Sequence, residues 1–430
     1  MDYPRSVTTA SPATDRDRFQ RAVIAVAATA NRFSAILMGT AMAVYVGRIG
    51  SPFHVGLVMT VFWLGLMVFS PVFGAIADVT GRRRFVLVST SVVATLTVLP
   101  LTVAGGVWGP LALRGVYAVF VAAFLPVMLT IVSERGGREG RGRSLGFFNS
   151  ARAVGFTAGQ FFAGLLLGLV APWVLYLIVA ALTGVIAVAG LFVRDPTPAV
   201  DRDPTLEEVT AEVRRRLLPA RTDRDHLRTN GLQWLYLAVF LRNATVLGTS
   251  SLLPIYLVAE IGVSEFVMGA LLALNPAGQM VFMYLFGHVA DLSGRKPLIV
   301  AGMGGGGIYA LVMAGASIPG SALVGGVVAG IGLLLLAAAF SAETTGTYAF
   351  IGDIAPHERE SELMGLHSTA RGFGGAAGPA AIGLLATVWG YESSFVVASV
   401  LAFGATVLVA RQLVESHGTQ SDVAVPAPDD

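Results

Sequence analysis

The sequence contains no cysteine and has little charge. With no Cys among its 430 residues, the chain can form neither disulfide bonds nor thiolate metal sites. Only 13% of the residues are charged, whereas 54% are hydrophobic. A soluble protein usually carries about 25% charged residues, so this composition predicts a protein that is surrounded mainly by lipid.

Motifs for ATP hydrolysis and enzymatic chemistry are also missing. No glycine-rich loop ends in Lys-Ser or Lys-Thr, no histidine pair has zinc spacing, and no hydrolase nucleophile elbow occurs. The run Gly304–Gly307 lies inside an apolar segment and has no such lysine. We therefore predict no enzyme activity, no cofactor, no metal site and no nucleic-acid partner.

Long apolar segments fill the chain instead. A bilayer is crossed by a helix of roughly 20 apolar residues, and twelve segments have about that length or more. They predict an all-α membrane protein with twelve transmembrane helices. The segments span about 20–46, 54–76, 85–106, 109–133, 145–169, 172–193, 231–259, 266–287, 297–317, 321–351, 363–388 and 391–413.

Basic residues alternate between the connections. The connections after segments 2, 4, 6, 8 and 10 carry arginine or lysine, and the others almost none, with Arg48 as the exception. Because lysine and arginine favour the cytoplasmic side of a membrane, both termini are predicted to be cytoplasmic. The chain would then be a multi-pass protein of the cytoplasmic membrane, with cytoplasmic tails at 1–19 and 415–430.

A charged hairpin occurs twice with the same spacing. A second repeat, of glycines in segments 5 and 11, keeps the same order. Two six-helix bundles with the same membrane orientation, 20–193 and 231–414, are therefore predicted as a pseudo-symmetric pair. The repeated residues are Gly74, Asp78, Gly81, Arg82 and Arg83 with Gly287, Asp291, Gly294, Arg295 and Lys296, and Gly155 and Gly159 with Gly374 and Gly378.

The stretch 194–230 between the bundles is polar and contains several prolines. It is predicted to be a cytoplasmic linker. Thr205 and Glu208 have the spacing of a capping box, which predicts one short surface helix through Arg216.

These hairpins, at these places among twelve segments, resemble the signature of the major facilitator superfamily. The resemblance covers residues 20–414, and its character is closest to the twelve-helix drug/proton antiporters. It implies alternating access, with the two hairpins acting as conformational latches on the cytoplasmic side. The family's helix 4 arginine is matched by Arg114, although Tyr117 and Ala118 replace the following Gln-Gly. It implies a role for Arg114 in proton coupling.

The family's Gly-x3-Gly-Pro kink of helix 5 is matched by Gly155 and Gly159, but Gln160 stands in place of proline. The segment 11 copy is complete, with Gly374, Gly378 and Pro379. Close helix packing and bending during transport are two readings of these glycines.

Ionisable groups inside a membrane are functional candidates by default. Arg32 and Arg242 lie in segments 1 and 7, next to Asn31 and Asn243. The family resemblance implies that both segments line the central cavity. Two guanidiniums there would bind an anion, or each arginine could pair within its own bundle. For Arg152 and Arg371 we favour a symmetric structural role.

Glu343 is the one acidic residue well inside a segment. A buried carboxyl can take up a proton, which makes Glu343 a candidate for proton coupling. A permanent ion pair with a nearby arginine is the alternative.

The primary prediction is a secondary active transporter that couples the efflux of small organic molecules to protons. One alternative is a carrier of organic anions or phosphate esters that uses Arg32 and Arg242. A second is a non-transporting membrane sensor built on the same fold. The expected partners are the lipid bilayer, a small-molecule substrate and protons, with the protein as a monomer.

Overall fold

The computed structural model describes residues 15–196, 205–217, 229–355 and 359–416. These residues form thirteen α-helices and no strand, so the predicted all-α fold is confirmed. The helices are α1 (Asp15–Ile49), α2 (Pro52–Thr80), α3 (Arg83–Val98), α4 (Trp108–Val121), α5 (Phe124–Leu169), α6 (Pro172–Phe192), α7 (Leu206–Leu217), α8 (Leu232–Ile255), α9 (Glu265–Ser293), α10 (Arg295–Gly315), α11 (Ala322–Ile354), α12 (Glu360–Trp389) and α13 (Tyr391–Gln412).

Helix α5 is two spans joined at a break. Gly137 has φ 60° and ψ −169° inside it, a conformation that only glycine adopts easily. The fourth span therefore runs over Trp108–Gly137 and the fifth over Gly140–Leu169. Helices α1–α6 form the N-terminal half, and helices α8–α13 form the C-terminal half.

Eleven helices within the described ranges are long and apolar enough to cross a membrane. The exception is α8, the seventh predicted segment, because Gln233, Arg242 and Asn243 lower its hydropathy. Most of α8 is nevertheless buried, and a π-helical turn, Tyr256–Glu260, continues it. Helix α1 starts at Asp15 and so extends into the segment that was predicted to be the N-terminal tail.

Glycines bring equivalent helices into close contact in both halves. A Cβ atom on Gly155 of α5 would lie 2.3 Å from the Thr29 carbonyl oxygen of α1. A Cβ atom on Gly378 of α12 would lie 2.0 Å from the Ala244 carbonyl oxygen of α8. Only glycine permits such backbone approach, so close packing is an observed role of these residues. Gly159 and Gly374 make the corresponding contacts with α1 and α8.

The two halves meet at one end of the helices. We call the end that carries Asp15 and Ser416 the termini side and the opposite end the far side. On the far side, Gly164 of α5 packs against Gly269 of α9, and Gly383 of α12 packs against Pro52 of α2. Arg48 also forms an ion pair with Glu265 across the halves, with a distance of 2.6 Å.

A side chain from one half also enters a helix of the other. Pro379 lies inside α12, and a proline disturbs the hydrogen bonds of the preceding turn. The Thr60 hydroxyl of α2 donates to the Ala376 carbonyl oxygen at 2.8 Å and accepts from the Ala380 N–H at 3.1 Å. The Thr60 hydroxyl therefore bridges two peptide groups that flank Pro379.

Candidate functional site: two hairpins and a central group of charges

The first hairpin joins α2 to α3 on the termini side. Gly81 ends α2 with φ 64°, a left-handed conformation that favours glycine. Asp78 Oδ1 accepts hydrogen bonds from Arg83 Nε at 3.2 Å and from Arg83 Nη2 at 3.1 Å. Asp78 Oδ2 accepts from Arg216 Nη2 of the linker helix α7 at 3.0 Å. The Asp78 carboxylate thus binds its own hairpin and the linker together.

Arg83 is the centre of this hairpin network. Its side chain is buried, and its Nη1 lies 3.1 Å from the Glu134 carboxylate and 3.6 Å from the Asp195 carboxylate. Gly74 lies beneath the linker contact, since a Cβ there would be 3.0 Å from Arg216 Nη1. In this conformation Asp78, Glu134 and Asp195 all belong to the N-terminal half or the residues directly after it.

The second hairpin has a related network. Arg295 Nε donates to Asp353 Oδ2 of α11 at 3.0 Å. The Glu415 carboxylate accepts the backbone N–H groups of Arg295 at 2.9 Å and of Lys296 at 3.1 Å, and it therefore caps α10. Gly294 has φ 84°. The backbone of Asp291 lies in α9, whereas its side chain is outside what the structure describes. A Cβ on Gly287 would meet no other helix among the described residues.

The halves repeat these contacts with a shift of one residue. The sequence repeat aligns Arg82 with Arg295, but Arg83 and Arg295 are the residues that begin α3 and α10 and bind the acidic partners. Two pairs of acidic partners were missed from the sequence: Glu134 with Asp353, and Asp195 with Glu415. Asp195 and Glu415 each stand three residues after the end of their half's last helix, and aligning the halves to their ends would have found them.

A buried ion pair lies in the C-terminal half. Arg242 Nη1 of α8 is 3.5 Å from Glu343 Oε2 of α11, and both side chains are only 2% exposed. His367 Nε2 of α12 is 3.9 Å from the other Glu343 oxygen. Gly302 lets α10 approach α11 closely at this site, because a Cβ there would lie 2.4 Å from the Glu343 backbone nitrogen. Of the two readings of Glu343, the structure shows the ion pair.

Arg32 and Arg242 do not form one bidentate site. Gly155 packs against Arg32 in the N-terminal half, whereas its counterpart Gly374 packs against Asn243 in the C-terminal half. Arg32 is thus equivalent to Asn243, and Arg242 to Asn31. One residue turns a helix by about 100°, so Arg242 is directed into the packing of its own half while Arg32 is not. Of the two readings, Arg242 follows local pairing, because it binds Glu343 of its own half.

Arg32 has two other arginines nearby. Arg152 and Arg371 lie close enough to Arg32 to repel its charge. The Arg32 guanidinium lies 5.4 Å from the ring centre of Phe156, and that of Arg371 lies 5.2 Å from that of Phe340. All three arginines are partly exposed. The symmetric positions of Arg152 and Arg371 were recognised from the sequence, but their proximity to Arg32 was not.

Arg114 lies apart from these groups. Its buried guanidinium is 4.1 Å from the Phe62 ring centre, and its Nη2 donates to the Ala35 carbonyl oxygen at 3.2 Å. A Cβ on Gly39 would lie 3.0 Å from this Nη2. Arg114 therefore fastens α4 to α1, and no carboxylate within the described ranges pairs with it. Its role in proton coupling stays a prediction.

Two polar side chains hold the neighbouring helices. Asn243 Nδ2 donates to the Arg371 carbonyl oxygen at 2.7 Å and joins α8 to α12. Gln160, at the position where the family has proline, accepts from Thr40 Oγ1 at 2.8 Å and joins α5 to α1. Asn31 is buried in α1.

Comparison with known proteins decides the family. A sequence model described as Major Facilitator Superfamily matches residues 24–333 and 235–424. The chain belongs to the Major Facilitator Superfamily. It is therefore a membrane-embedded transporter rather than an enzyme, as the sequence predicted.

Among relatives of this superfamily member is the multi-drug resistance efflux pump PmrA of Streptococcus pneumoniae, 23% identical over 80% of this chain and 82% of that protein. The class G tetracycline resistance protein of Vibrio anguillarum is 28% identical over 37% of this chain and 38% of its own length. The solved structure of a bacterial homologue of the human lysosomal transporter Spinster, inward-facing and occupied, superposes with a TM-score of 0.74 at 15% identity, covering 93% of this chain and 98% of that one.

Proposed function

We propose that this transporter works by alternating access and exports small organic molecules in exchange for protons. The observation that carries the proposal is the distribution of contacts between the halves, which run from the far side, at Gly56, Thr60 and Gly164, to the middle of the helices, where Gly372 lies against Met67. Two bundles that touch at one end can rock about a central site, which is how parallel-repeat carriers alternate access.

Export is supported by the two resistance proteins among the relatives, an efflux pump and a tetracycline resistance protein. The arginines of the even-numbered connections support a cytoplasmic termini side. The central cavity then faces the cytoplasm in this conformation, where an exporter collects its substrate.

Proton coupling is assigned to Glu343. Its carboxylate is held by Arg242 and lies near His367, and Thr344 and Thr347 hydroxyls donate to it at 3.3 and 3.4 Å. A proton that neutralises Glu343 releases Arg242 from its ion pair. This exchange links protonation to the packing of α8 against α11.

The test is accumulation of the cationic dye ethidium and of the anionic dye fluorescein in cells with and without the protein. We expect lower accumulation of at least one dye when the protein is present, and loss of that difference when an ionophore collapses the proton gradient. Asp78→Asn is the matched inactive control, because it removes the hairpin's charge network; the variant should reach the membrane in normal amounts. Equal accumulation of both dyes with and without the protein, or normal efflux under the ionophore, would contradict the proposal.

A further inference from the structure

Three arginines near the middle of the molecule form a positively charged group whose acidic neighbour, Glu343, is already paired with Arg242. Arg32 lies on α1, Arg152 on α5 and Arg371 on α12. Arg152 and Arg371 are each about three helical turns from the termini-side end of their spans. Arg152 and Arg371 both lie within electrostatic range of Arg32. We call Arg32, Arg152 and Arg371 the arginine cluster.

The cluster's hydrogen-bonding groups are only partly used. Arg152 Nη1 donates to Asn149 Oδ1 at 3.2 Å, while its buried Nε has no hydrogen-bond partner among the described residues. Among the residues that the structure describes, none of the three guanidiniums forms an ion pair with a carboxylate. The nearby acid, Glu343, already binds Arg242. Like charges that lie partly out of water without a counter-ion are unfavourable.

Aromatic rings border the cluster on both halves. Phe156 lies beneath Arg32 and Phe340 beneath Arg371, both within cation–π distance. Both rings are partly exposed. They offer apolar surface next to the unpaired guanidiniums.

On the basis of the proposed transport function, we infer that the arginine cluster binds the anionic group of an amphiphilic organic substrate, a carboxylate or phosphate ester whose apolar body lies on Phe156 and Phe340. Guanidinium forks match both anions in geometry and charge. The site draws residues from both halves, so an anion bound there joins the halves across the cavity. Arg242, which lies over the same Phe340 ring at 5.6 Å, is paired with Glu343.

The test is direct binding to the purified full-length transporter, which is independent of movement across a membrane. Two pairs of probes share a naphthyl body and differ in charge. The first is 1-naphthoate with 1-naphthamide, and the second is 1-naphthyl phosphate with 1-naphthol, which lacks the phosphate group. We expect each anion to raise the melting temperature and to bind at least about tenfold more tightly than its neutral partner, since a charge-assisted contact of this kind contributes that much or more.

Variants identify the site. Arg32→Gln, Arg152→Gln and Arg371→Gln should each weaken anion binding about tenfold or more, and neutral probes should be unaffected. Each should also keep or raise the melting temperature without ligand, because one of three repelling charges is gone; a purely structural arginine would lower it. Arg411→Gln, an exposed arginine of α13, should bind the anions normally.

Two results would overturn the inference. One is equal binding of charged and neutral probes, including no binding of any probe. The other is unchanged anion affinity in all three cluster variants. Neither result changes what the dye-efflux experiment shows. Failure of that experiment would instead refute proton-driven export, and anion binding could still be measured.

Discussion

The most consequential single residue for coupling is Glu343, because it is a buried acid with a buried partner. Glu343→Gln leaves the Arg242 charge uncompensated, and breaking a buried ion pair costs about 3–5 kcal/mol. We expect a marked fall in the melting temperature of the purified protein and loss of transport driven by an imposed pH gradient.

The double variant Arg242→Gln/Glu343→Gln is the control for this prediction. It removes both charges, so most of the lost stability should return while pH-driven transport stays absent. A double variant no more stable than Glu343→Gln would contradict the ion-pair account. Transport by Glu343→Gln that still follows the pH gradient would exclude coupling at Glu343.

Gly378 is the clearest steric requirement at the residue scale. Gly378→Ala would put its methyl group 2.0 Å from the Ala244 carbonyl oxygen, and overpacking of this kind costs about 1–3 kcal/mol. We expect a lower melting temperature, measured in the same detergent as for the native protein. Gly365→Ala, on the same helix with open space around it, should keep or raise the melting temperature, because alanine favours a helix more than glycine does. Equal effects of the two substitutions would refute the proposed backbone contact.

At the residue scale, the sequence indicated which charged residues lie in the spans but not the direction in which their side chains point. The charge of Arg32 and Arg242 and their place in the middle of the spans could be read directly. Whether each guanidinium turns towards the cavity depends on helix rotation, and the one-residue offset between Arg32 and Asn243 amounts to about 100°. That rotation depends on which glycines pack against the helix, so it cannot be predicted from hydropathy.

At the scale of elements, the contact of Thr60 of α2 with α12 beside Pro379 joins the two halves. Thr60→Val keeps the side chain's size but removes the hydroxyl that bridges Ala376 and Ala380. The hydrogen bonds of Thr60 to the two peptide groups are then lost, at a cost of about 1–3 kcal/mol. We expect the population to shift about tenfold or more towards conformations that are open on the far side.

The readout is the labelling rate of a single cysteine at Phe53, a far-side residue of α2 whose backbone N–H bonds to Thr387 of α12. The chain has no other cysteine, so a membrane-impermeant maleimide reports this site alone. Thr60→Val should accelerate labelling, and Thr60→Ser, which keeps the hydroxyl, should not. Identical rates in all three proteins would contradict a closing role for Thr60.

The linker helix α7 has a separate test, because its docking depends on charge. Hydrogen bonds from Arg215 and then Arg216 lower the pKa of Glu212 from its ordinary value to about 2. Because both arginines lie on α7 itself, the lowered pKa means that this contribution to the folded helix is present above the ordinary glutamate value, about 4.3, and disappears as the pH falls through about 2. The helix that presents Arg216 to Asp78 should therefore be equally stable between about pH 5 and pH 8.

A spin label on a cysteine at Thr210, an exposed position of α7, measures this docking by its mobility. Arg216→Gln, which removes the contact with Asp78, should increase the mobility at all these pH values. Arg214→Gln, an exposed neighbour, should leave it unchanged. A mobility that rises between pH 8 and pH 5 in the native sequence would contradict the predicted charge state of Glu212.

Elements were predictable where a local signal exists. The twelve segments followed from hydropathy, and the capping box of α7 forms as predicted, with Thr205 and Glu208 exchanging hydrogen bonds at 3.1 and 3.2 Å. The break at Gly137 and the entry of Thr60 into α12 were not predictable. The first depends on one backbone torsion, and the second on contact between residues more than 300 positions apart in sequence.

For the whole molecule, the repeated hairpins indicated two related halves, and the fold comparison supports that architecture. Where the halves touch is a matter of conformation, which a single sequence does not specify. In this conformation the far side is closed by Arg48 with Glu265 and by the glycine contacts of α2, α5, α9 and α12.

The central claim is that the two sides open in alternation, and paired spin-label distances in lipid test it most directly. One pair of labelled cysteines spans the far side, at Ile49 and Leu323, and the other the termini side, at Phe85 and Tyr284; all four positions are exposed. With Thr60→Val in the background, the far-side distance should lengthen and the termini-side distance should shorten. Lengthening of both distances, or no change in either, would contradict alternating access.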